Sequence, residues 1–299
     1  MKKFMTSVIA SVLIALSLAF TACATATDTT YKGNYQDIDA EQLYTSTREL
    51  PTNEEINELS LKSTVSIETT VTQDSQVTTM LVNLSGVMQG SIEESSAKGS
   101  ISMLVTESVT NSKGTTSSTI DMKFYVNEDN YYLNYTQSTT AAVGNTSTTV
   151  KCKISKADFL KYFEEYGISF GSPTQSTVPS EQTEFISYLN ELCDNVGYKI
   201  SADTTNGIKV KVDIANEDKF ITHTKNTTPD LKYYELLVNE FEMYYVFDKN
   251  NNFVAQKSVN DITATTLKGD IDLVTASETR VYNGEITFPS DLDTYTPIL

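Results

Sequence analysis

Three cysteines, one histidine and 39 carboxylates are the groups in this 299-residue chain with the means to do chemistry. Their spacing favours little of it. His223 stands in the polar run Thr222-His223-Thr224-Lys225, and the chain holds no second imidazole to share a metal or relay a proton. It reads as a solvated side chain. Asp248, Asn250 and Asn252 imitate the first half of a calcium loop. The sixth position, however, is Phe253 where glycine is needed, and the twelfth is Val259 where a bidentate glutamate is needed. A hairpin turn is the expected outcome. Glu184, Glu191 and Asp194 fall on the solvated side of a helical pattern, and no carboxylate pair has a spacing that points to glycoside hydrolysis. Neither Cys152 nor Cys193 has a local histidine to activate a thiolate. No glycine-rich phosphate loop, nucleophile elbow or zinc-ligand cluster is present. The expectation is a protein that is not an enzyme and uses no cofactor and no metal.

The elements around these groups are mostly strands. In residues 64–72, Val65, Ile67, Thr69 and Val71 alternate with Ser66, Glu68, Thr70 and Thr72, the period of a half-buried strand. Similar runs at 77–89, 99–110, 115–126, 131–141 and 147–154 are joined by short polar turns, which makes an antiparallel meander. The pattern resumes at 198–203 and 208–214, on either side of the hairpin signal Asn206-Gly207, and continues at 235–247, 253–265, 269–281 and 284–288. Between the two meanders, residues 155–197 carry two amphipathic helical patterns. The first opens with Ser155 and Asp158 at capping-box spacing, bears Phe159, Leu160, Phe163 and Tyr166, and stops at Gly167. The second bears Phe185, Leu189, Leu192, Cys193 and Val196 and stops at Gly197. Residues 38–62 are expected to be helical, with Thr52 and Glu55 at capping-box spacing and Ile56, Leu59 and Leu61 as a partial stripe. Residues 216–234 read as a short helix and a loop at Pro229. With no βαβ alternation the class is mainly β (α+β): one large curved antiparallel sheet of roughly eleven strands, its concave face covered by the two-helix insert and the N-terminal helix.

The address is written at the start. Met1-Lys2-Lys3 is basic, residues 4–20 are apolar and short, and Phe20-Thr21-Ala22-Cys23 ends in small residues before a cysteine. This is a secretory signal. The last four residues resemble the lipobox of bacterial lipoproteins, with Phe20 standing where that motif usually has Leu. The resemblance implies cleavage after residue 22 and a lipidated Cys23, hence a membrane-anchored body on the extracytoplasmic side. Residues 1–22 are then the signal, 23–37 the lipidated Cys and a flexible tether, and 38–299 a single domain. Loss of Lys2 and Lys3 leaves 20 of 22 basic residues against 39 acidic ones, a balance that disfavours nucleic acid and anionic surfaces. In an exported chain Cys152 and Cys193 read as one disulfide, with two buried thiols as the alternative.

A lipobox, an N-terminal helix, a strand meander, a helical insert and a second meander ending near Gly284-Glu285-Ile286-Thr287-Phe288-Pro289 together look like the half-barrel lipoproteins, the group of the carrier LolA and the mycobacterial LppX-type proteins. That resemblance spans about residues 38–290. It implies an apolar cavity between sheet and helices that holds a lipid or another apolar ligand. Candidate lining residues are Tyr131, Leu133, Tyr135, Phe159, Leu160, Phe163, Phe185, Leu189, Leu192, Phe241, Met243 and Tyr245. Ordinary core packing is the competing role for each of them, since aromatics also fill curved interiors. A surface module that recognises a protein or a cell-wall component without catalysis is the second functional reading.

Overall fold

The computed structural model describes residues 29–49, 58–73, 76–91, 98–112, 114–141, 144–158, 182–250, 252–266 and 269–298. Period-two alternation becomes strand almost wherever it occurs. The first meander comprises β2 (Glu58–Gln73), β3 (Gln76–Ser91), β4 (Lys98–Asn111), β5 (Gly114–Val126), β6 (Asn130–Ala141) and β7 (Gly144–Ser155). The second comprises β8 (Tyr198–Asp203), β9 (Ile208–Ile214), β10 (Glu235–Phe247), β11 (Phe253–Thr266) and β12 (Gly269–Val281). Two edge strands, β1 (Gln36–Asp37) and β13 (Thr296–Pro297), complete a single large, curved, open sheet of 13 strands, in the order β1-β8-β9-β10-β11-β12-β2-β3-β4-β5-β6-β7-β13. Pairing is antiparallel except where β13 lies parallel to β7. The meanders join at Val281, which faces Leu61, and the Tyr282 amide extends that join by donating to the Ser60 carbonyl at 2.9 Å.

The turns follow local chemistry. Gly207 takes φ 87°, a conformation open to glycine without steric cost, and lets β8 fold back on β9. Asp248 Oδ1 accepts from the amides of Asn250 and Asn252 at 2.8 and 2.9 Å, so this segment is the expected hairpin turn. Asn127 Oδ1 accepts from Asn130 N at 2.8 Å at the β5–β6 turn.

Three α-helices are described: α1 (Ala40–Glu49), α2 (Gln182–Glu191) and α3 (Glu217–Thr227). Asp39 and Gln42 cap α1 reciprocally, each backbone amide donating to the other's side chain, at 2.7 and 3.1 Å. A π-helical turn, Leu192–Val196, continues α2 and ends at Gly197 with φ 84°, the stop expected there. Asn216 caps α3 through the Lys219 amide, and a 3-10 turn, Pro229–Tyr233, follows. Ser155 Oγ accepts from the Asp158 amide at 3.0 Å, as the capping-box spacing predicts, and one helical turn begins there. The rest of that first insert helix lies outside the described residues.

Three expectations are corrected. Leu59 and Leu61 belong to β2, not to a helix, because they continue the alternation through Ser63 and Val65. The proposed cap at Thr52 and Glu55 lies outside the described residues. Residues 284–288 form no strand; they cross one face of the sheet and deliver the chain to β13 at the far edge. The expected sheet of roughly eleven strands is present, and the edge strands β1 and β13, each two residues long and too short to show a period, bring it to 13. Residues 29–37 are not tether: a 3-10 turn, Thr29–Tyr31, packs on the sheet and Gln36–Asp37 pairs with β8.

Cys152 and Cys193 are both free. Cys152 sits on β7, ten strands along the sheet from β8, whereas Cys193 lies in the turn after α2 and packs on the β8–β10 cluster. Burial pushes both thiols up from their ordinary value.

Candidate functional site

Register sorts the strand side chains onto two faces. Cross-strand partners Val65, Leu84, Met103, Met122 and Tyr135 form one row from β2 to β6. Flanking rows on the same face are Ile67, Val82, Val105, Ile120 and Gln137, and Ser63, Gly86, Ile101, Phe124 and Leu133. Apolar residues dominate all three rows. Val65, Leu84 and Met103 are buried at their centre, and the cluster around them is made of strand residues alone among the described residues. The opposite face of these strands is rich in hydroxyls, with cross-strand contacts such as Thr136–Thr149 at 3.0 Å and Ser138–Ser147 at 3.2 Å.

The helices belong to the other half of the sheet. Leu43 of α1 and Ile200, Ala202, Ile208 and Val212 of β8 and β9 form a buried cluster, joined by Leu189, Cys193, Phe241, Met243 and Tyr245. Phe185 of α2 meets the Tyr44 ring at 5.6 Å, and Phe241 stacks on Tyr198 at 5.2 Å and meets Phe220 of α3 edge-on at 5.3 Å. Leu189, Phe241, Met243 and Tyr245 are therefore filled core beneath α1, α2 and α3. Leu192 begins the π turn and is half-buried. Tyr131, Leu133 and Tyr135 lie on β6, seven strands along from β10. The candidate lining residues thus split into a packed group at one end of the sheet and a group on the apolar rows. Phe159, Leu160 and Phe163 lie outside the described residues, as does Cys23.

Unfilled apolar surface is concentrated on the row-bearing face. Of the eight large hydrophobic strand residues that are exposed among those described, Met80, Met88, Val150, Leu273 and Val281 occupy this face. Leu104, Val77 and Leu237 occupy the other. Side chains from β2, β3, β4, β5 and β6 could thus present a broad apolar trough to a ligand. Recognising it needed the register, because single strands show only that they alternate.

The opposite face carries what sequence reading missed. Tyr31 is buried, and its single hydroxyl proton is donated to Glu278 Oε1 at 2.8 Å, with the Gln256 carbonyl at 3.2 Å as a second, weaker acceptor. Its ring packs with Val246 and Ala255, approaches Tyr244 at 5.7 Å and has the Arg280 guanidinium over it at 5.6 Å. Arg280 is also paired with Glu278. Burial, then the bond to Glu278, raises Tyr31 far above the ordinary tyrosine range. Burial likewise raises the Glu278 carboxyl, against the lowering effects of the Tyr31 bond and of Lys257 and Lys62. Lys211 bonds Asp213 at 2.8 Å and Glu242 at 3.1 Å beside Tyr244, and those bonds outweigh its burial and keep it charged. Only the aromatic pair Tyr31 and Tyr35 could have flagged this docking from sequence. His223 is exposed on α3.

No group of three or more metal-ligating side chains occurs among the described residues, and none of their helices is long and apolar enough to cross a membrane. No protein-family model and no curated protein match this chain. Among solved structures it is similar to a beta-barrel-like protein of a domain of unknown function, DUF1849, from Brucella abortus, at 7% identity and a TM-score of 0.24. That match covers 75% of this chain and 99% of the other. A second similarity is to the translocator domain of the autotransporter NalP from Neisseria meningitidis, at 6% identity and a TM-score of 0.21, over 80% of this chain and 93% of that one. Scores this low carry no functional argument.

Proposed function

We propose that this protein is a non-catalytic extracytoplasmic lipoprotein, held to the membrane by Cys23, that binds a lipid or another apolar ligand. The ligand would lie along the rows of β2 to β6. One observation carries this reading: three adjacent apolar rows span five strands on one face, while the described helices pack at the β8–β10 end. Burial of apolar surface contributes about 25 cal/mol per Å², so a ligand covering 200 Å² of the trough would gain roughly 5 kcal/mol before its ordering cost. The trough sits away from the aromatic core under the helices, so binding there would not require that core to open.

Native mass spectrometry of residues 24–299, purified without detergent and incubated with a membrane lipid extract, tests the ligand. A discrete added mass is expected, lost on organic extraction and weakened by Met88→Glu, at an exposed position on the same face. A mass unchanged by the extract would refute binding. For the anchor, growth with an alkyne-tagged fatty acid should label the intact chain, and Cys23→Ala should abolish the label and release the body. Label retained by that variant would refute lipidation at Cys23.

A further inference from the structure

The hydroxyl-rich face holds a groove of about 240 Å³ between β2 and β5, lined by Lys62, Ser85, Ser100, Ser102, Lys123 and Tyr125 together with Val87. Register explains its composition. Lys62, Val87, Ser100 and Tyr125 are successive cross-strand partners in one row, and Ser85, Ser102 and Lys123 are partners in the next. Lysines therefore stand at two opposite corners with three serine hydroxyls between them. No carboxylate lines the groove, although acidic residues outnumber basic ones 39 to 22 in the chain. The nearby carboxylates have other bonded partners: Glu278, which also feels the Lys62 charge, bonds Tyr31 and pairs with Arg280, and Asp291 bonds Lys151. Asp121 approaches Lys123 at 3.5 Å in a pair exposed to solvent, which is a weak claim on that ammonium. Lys62 has no ion pair among the described residues.

We propose that this groove binds a phosphate ester, the group being carried by a small ligand or by a lipid headgroup. Ser85 and Ser102 are directly opposed, so their Cβ atoms stand about 5 Å apart and both hydroxyls can donate to oxygens of one tetrahedral anion. Lys62 and Lys123 supply opposing charge from either side, and charge-assisted donors of this kind are about twice as strong as neutral ones. The net charge of −17 opposes approach only weakly, because at physiological salt charges more than about 8 Å away are largely screened. Contact is decided by the groove. This site is on the face opposite the apolar rows, so it stands or falls independently of the apolar-ligand reading.

The test uses residues 24–299 with lysines ¹³C-methylated for NMR, titrated with glycerol 1-phosphate, and separately with vesicles of phosphatidylglycerol or of phosphatidylcholine. Saturable shifts of Lys62 and Lys123 with glycerol 1-phosphate are expected, weakened by added NaCl. The Lys62→Ser/Lys123→Ser protein should bind at least tenfold more weakly at unchanged melting temperature, while Lys225→Ser on α3 should bind as the parent does. Binding confined to phosphatidylglycerol vesicles and lost in the double variant would support the site with the headgroup as its source. No saturable binding to either probe, or equal binding by the double variant, would overturn it.

Discussion

Truncating Tyr31 asks whether the first described residues hold the sheet together or merely rest on it. The side chain is 8% exposed and fills a gap beside Val246 and Ala255 on the face away from the helices. Tyr31→Ala removes an aromatic ring of core type, a change that costs about 3–5 kcal/mol. Tyr31→Phe keeps the ring and removes one hydroxyl, leaving Glu278 with Arg280 but without its tyrosine donor. Loss of a hydrogen bond to a charged group costs about 1.5–3 kcal/mol. With a urea m-value of about 3 kcal/mol per M for a chain of this size, the midpoint should fall by about 1–1.7 M in the alanine protein and 0.5–1 M in the phenylalanine protein. Urea titration of residues 24–299, followed by far-UV circular dichroism and by tyrosine fluorescence, supplies the assay; coincident curves license the two-state reading. An alanine protein whose midpoint lies within about 0.2 M of the parent would refute the reasoning and return residues 29–37 to the role of tether.

Alkaline pH should be destabilising. Burial raises Tyr31, Tyr198, Tyr244 and Tyr245 and pushes Tyr35 up to about 12. The unfolded chain releases these protons near pH 10 while the folded one retains them, so their contribution is intact below pH 10 and is lost as pH rises above it. Melting temperatures from pH 8 to 11.5, with tyrosinate absorbance recorded alongside, check this; a flat profile above pH 10 would contradict it. Gly207→Ala should cost about 1–2 kcal/mol from its left-handed backbone alone, and more because the new Cβ would strike the Phe247 carbonyl, as a urea midpoint would reveal. Thiol titration of residues 24–299 should find two reactive groups per chain in urea and slow reaction in the native state, with no effect of reductant on the melting temperature. A reductant-dependent melting temperature would restore the disulfide.

Strands were legible because alternation is a local signal: Val65, Ile67 and Val71 announce a face before any partner is known. Stops at Gly197 and Gly207 were legible for the same reason, since a left-handed residue belongs to its own turn. Pairing across long separations was not legible. Nothing near Cys152 or Cys193 says that the strands between them place the two thiols at distant parts of the sheet. Phe241, Met243 and Tyr245 read in sequence as candidate cavity lining, and only the packing of α1, α2 and α3 shows that they are filled core. Two-residue edge strands carry no period at all. The groove at Lys62 and Lys123 was hidden because each lysine, alone, is an ordinary polar-face residue.

The join between β12 and β2 has a consequence for how the chain folds. Within each meander, neighbouring strands are linked by short connections, apart from the longer β9–β10 segment, so each half-sheet can form from nearby contacts. Only this join, and the docking of the chain's two ends, must bring together residues as distant as Leu61 and Val281. Closing a loop that long costs about 2.7 kcal/mol more entropy than closing a ten-residue hairpin. The two half-sheets are therefore expected to appear first and to meet late, so that pulse-labelled amides of β12 and β2 at the join gain protection after those inside β3–β6. Until they meet, each half exposes a long strand edge able to pair with another copy, and the chain is most prone to aggregate in that interval.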